Sequence, residues 1–289
     1  MKNLVQDLVK HLTLERLEEN LFRGESRDVG QKSVFGGQVL GQALMAAART
    51  VEGRQAHSLH GYFLLPGDPR APIVYDVERI RDGRSFTTRR VVAIQHGRAI
   101  FNMAASFQIR EQGVEHQAQM PEVPGPEGLA DKAELGRRAA ERASGRVRRF
   151  LLQPRPIEFR PVAPDDPLEP EPRPPQRQLW LRAAAALPDD PALHQAVLAY
   201  ASDFSLLGTA FLPHGLSFLQ RQVQAASLDH AMWFHREFRL DDWLLYAMDS
   251  PSAGNARGLC RGSIFTRDGK LVASVAQEGL IRKVDDHGE

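Results

Sequence analysis

The chain writes one hairpin twice. "AIQHGRAIFNMAASFQ" (93–108) and "TRDGKLVASVAQEG" (266–279) each read as strand, tight turn, strand, with His96–Gly97 and Asp268–Gly269 at the turns. Their surroundings echo one another. "IVY" (73–75) precedes the first hairpin as "LLY" (244–246) precedes the second, and Arg89 in "TRRVV" is matched with Arg261 in "CRGSI". Any two antiparallel hairpins look somewhat alike, so the shared order and spacing carry the argument. They indicate two divergent copies of one module, side by side.

Each copy has its own helix. "FGGQVLGQALMAAART" (35–50) opens on two glycines, and its small residues permit close packing against another element. Around it "HSLHGYFLL" (57–65), "IVYDVERI" (73–80), "SFTTRRVVAI" (85–94) and "AIFNMAASFQI" (99–109) read as strands. In the second copy "DDPALHQAVLAYASDFSLLGTAFL" (189–212) is the helix, with a break near Asp203. Its strands are "IEFRPV" (157–162), "RQLWLRAAAAL" (177–187), "QAASLDHAMWFHREF" (224–238), "WLLYAMDS" (243–250) and the hairpin. The fold class is therefore α+β, with modules at 1–112 and 157–289. Residues 113–156 form a variable linker carrying a charged helix, and a Pro-rich excursion follows at 163–178.

Composition narrows the function. Lys+Arg number 37 against Asp+Glu 36, a balanced surface that does not point to nucleic acid. One cysteine, Cys260, forbids an intrachain disulfide. "MKNLVQDLVKHLTLERLEEN" spaces Leu4, Val5, Leu8, Val9 and Leu12 as an amphipathic helix and not as a secretory leader. No uninterrupted apolar run approaches the ~20 residues of a membrane span, and "DDHGE" (285–289) is not a targeting address. A cytoplasmic protein without a membrane partner is expected.

Common catalytic motifs are missing. "GLSFL" (215–219) lacks the final glycine of a nucleophile elbow, and neither a Walker A loop nor G-x-G-x-x-G occurs. Cys260 reads as a core thiol. Asp229, His230 and His235 suggest a metal, but on a strand His230 faces away from the other two, so no metal site is assigned.

Three residues remain. Asp203 has two readings: a carboxylate on a helix face shared with Ala199, Tyr200, Leu206 and Leu207, or an N-cap of a fresh helix. Ser227, on an ideal strand, shares a face with Asp229, Ala231 and Trp233, and by itself is an ordinary exposed serine. Gln277 alternates with Val275 and by itself is a strand-end amide. Together they make an acid with two neutral hydrogen-bonding partners, a set suited to holding a water.

"VFGGQVLGQAL" (34–44), the stretch 60–108, "YASDFSLLGTAFLPHG" (200–215), "SLDHAMWFHREF" (227–238) and "GLCRGSIFTRDGKLVASVAQEGLIR" (258–282) resemble the acyl-CoA thioesterase II family. The resemblance runs from the leading helix to the last strand and weakens in the linker. It implies a double hotdog, each module a helix wrapped by an antiparallel sheet. It implies hydrolysis of medium- to long-chain acyl-CoA to free acid and CoA, with no cofactor and no covalent acyl-enzyme. It matches Asp203, Ser227 and Gln277 to the family's catalytic acid, hydroxyl and amide, with serine where threonine is common. Aligning the hairpins at Gly97 and Gly269 puts Ala105 opposite Gln277, so one site per chain is expected.

For the acyl-CoA substrate, Gly37 at the helix start is a candidate oxyanion donor, and Arg81, Arg84, Arg89, Arg257 and Arg261 are candidates for CoA phosphates. Phe63, Phe204, Leu207 and Met232 are candidate acyl-chain linings. Exposed sheet edges lead us to expect a homo-oligomer, a dimer or tetramer. The rival readings are a non-catalytic acyl-CoA-binding protein and another hotdog enzyme such as a hydratase.

Overall fold

The computed structural model describes residues 2–27, 33–220 and 222–283, so "DDHGE" lies outside them. The first half contains α1 (Lys2–Leu12), β1 (Glu15–Glu18), β2 (Leu21–Gly24), α2 (Gly36–Ala48), β3 (Gln55–Phe63), β4 (Ile73–Asp82), β5 (Phe86–Gln95) and β6 (Arg98–Gln108). Two short helices follow, α3 (Lys132–Ala140) and α4 (Gly145–Leu152). The second half contains β7 (Ile157–Pro161), β8 (Gln176–Ala183), α5 (Pro191–Ser202), a 3-10 helix (Leu207–His214), β9 (Val223–Ser227), β10 (Asp229–Phe234), β11 (Leu244–Gly254), β12 (Arg257–Thr266) and β13 (Leu271–Lys283).

All strands join one antiparallel sheet in the order β1-β2-β4-β5-β6-β3-β10-β13-β12-β11-β8-β7, with β9 also paired to β13. The order is a palindrome. β1 answers to β7, β2 to β8, β4 to β11, β5 to β12, β6 to β13 and β3 to β10. The halves meet where β3 and β10 pair, Leu59 against Met232. This topology carries the repeat read from the two hairpins.

The helices lie at the centre because they have no polar face to offer water. Every residue of α2 from Gly37 to Ala47 is buried, as is every residue of α5 from Leu193 to Ser202. Contrary to the expectation that no apolar run approaches a membrane span, residues 191–214 are long and apolar enough to cross one. Most of that stretch is buried inside the protein, and it is interrupted by Ser205 at φ 70°. Glycine lets the two helices touch. A Cβ on Gly37 would stand 2.4 Å from the Tyr200 carbonyl oxygen, and one on Gly41 2.9 Å from that of Ala196.

The linker carries two helices where one was expected. The chain turns at 141–144 and enters α4 through Gly145 at φ +55°. Upstream, Met120, Val123 and Leu129 pack on a second apolar cluster of Trp180, Leu245, Phe265 and Leu271. Trp180 Nε1 donates to the Pro124 carbonyl at 2.8 Å. The linker therefore covers the second half of the sheet.

Candidate active site

Asp203 is neither mid-helix nor an N-cap; it is the C-cap of α5. Alone, a carboxylate at that end of a helix faces the negative pole of the helix dipole. The remedy comes from the other half. The first turn of α2 points at Asp203, and the Gly37 N–H donates to its Oδ2 at 2.8 Å. One of the orphan donors of α2 is thus capped in trans by an acid 166 positions away. The "GG" pair permits the approach, since a Cβ at Gly36 would lie 2.8 Å from Oδ2 and 3.0 Å from the Phe63 ring. Gly37 was expected to serve an oxyanion, but in this structure its N–H is committed to the acid.

The strand next to the acid does not alternate as an ideal strand would. Ser227 lies opposite Gly279 on β13, whereas Ala231 lies opposite Ala276. Five residues (227–231) therefore face four (276–279), a β-bulge at Leu228. The extra residue changes the facing. Ser227 reaches the site, and His230 faces inward too, fully buried, with Met232 and Phe234 beyond it. Asp229 and Trp233, expected beside Ser227, belong to the other side; Asp229 Oδ1 instead accepts the Glu278 N–H.

Gln277 completes the group from β13 and is 1% exposed. Its Nε2 donates to Asp203 Oδ1 at 2.7 Å and lies 3.1 Å from Ser227 Oγ and 3.2 Å from His230 Nδ1. The Ser227 hydroxyl donates to Asp203 Oδ1 over a longer 3.4 Å. Gln277 Oε1 is buried with no partner among the described residues. Behind the trio, His230 Nε2 lies 2.9 Å from Ser202 Oγ, and Tyr246 Oη donates to the Ser202 carbonyl. Burial pushes the His230 imidazole down to about 4, against a smaller opposing pull from Asp203. Asp203, Ser227 and Gln277 are thus brought together. His230 was missed because ideal alternation turned it away; only a bulge places it with Ser227.

The arginines do not gather there. Arg89 is 2% exposed, and its donors go to Thr50, Asp82 and the carbonyls of Arg81 and Thr88, so it is a structural side chain. Its match with Arg261 is off by one: Tyr75 and Ala93 answer to Tyr246 and Ile264, which sets Arg89 against Cys260. Arg261 and Arg257 are exposed next to the buried Cys260 and Gly258, so they point away from the helices and pair with Asp249 and Glu278. Arg84 is exposed at the β4–β5 turn. Around the acid the walls are aromatic. Phe35 packs at a tilt on Phe204 (centroids 4.3 Å apart) and edge-to-face on Tyr200 (5.3 Å), and Phe63 packs on Phe101 (4.9 Å). Leu207 and Met232 are buried core.

The chain is similar to known acyl-CoA thioesterases over nearly its whole length. Residues 24–108 match the model of the acyl-CoA thioesterase N-terminal domain, and residues 154–280 match that of acyl-CoA thioesterase. Acyl-CoA thioesterase 2 of Haemophilus influenzae is 42% identical over 98% of this chain and 99% of its own. Human acyl-coenzyme A thioesterase 8 is 44% identical over 94% of this chain and 87% of its own. The crystal structure of the acyl-CoA thioesterase II TesB2 from Mycobacterium marinum superposes with a TM-score of 0.79 at 47% identity, covering 97% of this chain and 100% of that one. A hotdog-fold protein from Alicyclobacillus acidocaldarius shares the fold at a TM-score of 0.76 and 19% identity. The double hotdog architecture and the full-length identity agree: the chain belongs to the acyl-CoA thioesterase family.

Proposed function

We propose that this chain hydrolyses acyl-CoA thioesters by direct attack of a water held by Asp203, Ser227 and Gln277. The observation that carries the reading is the carboxylate of Asp203, fixed on one oxygen by Gly37 and on the other by Gln277 and Ser227. Oδ2, which accepts only from Gly37, keeps a lone pair for a further donor. A thioester carbonyl is electrophilic because sulfur donates poorly into it, so positioning is most of the task. The water oxygen adds to the carbonyl carbon as Asp203 takes its proton. Collapse of the tetrahedral adduct breaks the C–S bond, and the proton returns to the departing CoA thiolate. Ser227 and Gln277 orient the acid and the water and form no bond to carbon.

The aromatic walls of Phe35, Phe63 and Phe204 favour a medium- to long-chain acyl group. Among the arginines considered, Arg81 and Arg84 are exposed and have no acid partner among the described residues, and we retain them for a CoA phosphate. We read the chain as modules 1–112 and 157–289 around a linker, with one site per chain. We read it also as a cytoplasmic homo-oligomer, whose free sheet edges β1 and β7 invite covering.

Intact-protein mass spectrometry during turnover of decanoyl-CoA, beside thiol release by Ser227→Ala, tests direct attack. The expected result is no acyl adduct and residual turnover within roughly 10- to 100-fold of wild type. An adduct on Ser227, with turnover abolished in the alanine variant, contradicts it. Acyl-CoA binding without any thiol release favours the binding-protein reading.

A further inference from the structure

We infer that His230 is a positioning residue: its Nδ1 accepts one Gln277 N–H and so locks the carboxamide in the orientation that serves Asp203. The inference rests on the reading of Asp203 and Gln277 as the hydrolytic pair. It concerns a residue that touches neither substrate nor the reacting atoms.

The argument is one of donors and acceptors. At one end of the chain stands the Asp203 carboxylate, which only accepts. At the other stands the Ala199 carbonyl, which also only accepts and receives the Ser202 hydroxyl proton at 2.9 Å. Between them lie Gln277, His230 and Ser202, linked by contacts of 3.2 and 2.9 Å. The Ser202 proton is spent on Ala199, so Ser202 Oγ accepts from His230 Nε2–H. A neutral imidazole has one N–H, so Nδ1 must accept. Its partner is Gln277 Nε2, a donor. The second hydrogen of that amide is shared between Asp203 Oδ1 at 2.7 Å and Ser227 Oγ at 3.1 Å.

Turning the amide over would set Oε1 against the carboxylate and the lone pair on Nδ1, acceptor against acceptor at both contacts, and leave it only the Ser227 hydroxyl as a donor. The observed orientation leaves Oε1 as an acceptor with no partner among the described residues, held fixed beside the acid. Burial keeps the ring neutral, as the chain requires. The first half has Leu59 at the place of His230, buried beside Ala105, where no carboxamide needs orienting. Leucine is thus the residue that the equivalent buried position of the first half holds.

The test is a set of variants assayed by thiol release from decanoyl-CoA, each checked for a wild-type thermal transition. His230→Leu should lower kcat roughly 10- to 100-fold with KM within about twofold, as expected of a displaced catalytic group. His230→Asn, whose Oδ1 can stand in for Nδ1, should recover most of that loss. The double variant His230→Leu/Gln277→Ala should be no slower than Gln277→Ala alone, because His230 acts through Gln277. Wild-type kcat in folded His230→Leu overturns the inference. So does independent, multiplying loss in the double variant, or an asparagine variant as slow as the leucine one. If His230→Leu does not fold, His230→Met, which also lacks an acceptor nitrogen, takes its place on the same criteria. Full activity in Gln277→Ala itself would instead overturn the hydrolytic pair.

Discussion

The two halves build the same row of three buried residues across equivalent strands and fill it differently. In the first half the row is Arg89, Ala105 and Leu59 on β5, β6 and β3. In the second it is Cys260, Gln277 and His230 on β12, β13 and β10. The ends of the helices differ in step. α5 ends on Asp203, which meets Gln277; α2 ends at Arg49 and Thr50, and Arg89 donates to both the hydroxyl and the carbonyl of Thr50. The first half closes the position with a satisfied arginine, and the second keeps an acid beside an amide. Yet the first half is not inert, because the N-terminus of its helix holds the acid of the second. The first module thus supplies a clamp for the acid of the second.

That contrast can be broken in graded steps. Gln277→Ala gives the second half the residue of the first. Since Ala105 is buried without strain at the equivalent place, the variant should fold and lose roughly 10²- to 10³-fold in kcat, read by thiol release. Gly37→Ala attacks the clamp. Its Cβ would press on the Tyr200 carbonyl oxygen at 2.4 Å, so the helices must part. Stability should fall by about 1–3 kcal/mol in urea unfolding and kcat by roughly 10-fold. The smallest effect is on pH dependence. With a folded value of about 4 against 6.5 unfolded, the His230 ring binds a proton in the unfolded chain before it does so in the folded one. Folding stability therefore falls as pH drops from 6.5 toward 4, by about 2 kcal/mol between pH 7 and 5. His230→Leu should remove that part of the acid slope, as in the first half, where Leu59 has no proton to bind.

Much of this was legible from residue order. The duplicated hairpins, the glycine-opened helix and the Ala105–Gln277 contrast are local patterns, and the palindromic sheet carries them. Asp203, Ser227 and Gln277 could be singled out as types without knowing how they meet. What escaped depends on a single inserted residue or on contacts across halves. The bulge at Leu228 reversed the facing of Ser227 and left His230 misread. A one-residue offset paired Arg89 with Arg261, and Arg89, expected at a CoA phosphate, is a buried structural arginine because its partners Thr50 and Asp82 lie on other stretches of chain. Nothing local announces that Gly37 would cap an aspartate so distant in the chain, because that contact exists only once both helices are packed.

The most direct test of the central claim is the turnover of Asp203→Asn on a panel from acetyl- to palmitoyl-CoA, with the fold verified by its thermal transition. Asparagine keeps the shape and the acceptor for Gly37 but cannot take a proton. The account predicts a loss of roughly 10²- to 10⁴-fold in kcat on every substrate the wild type uses. A folded variant that releases CoA at the wild-type rate would contradict it.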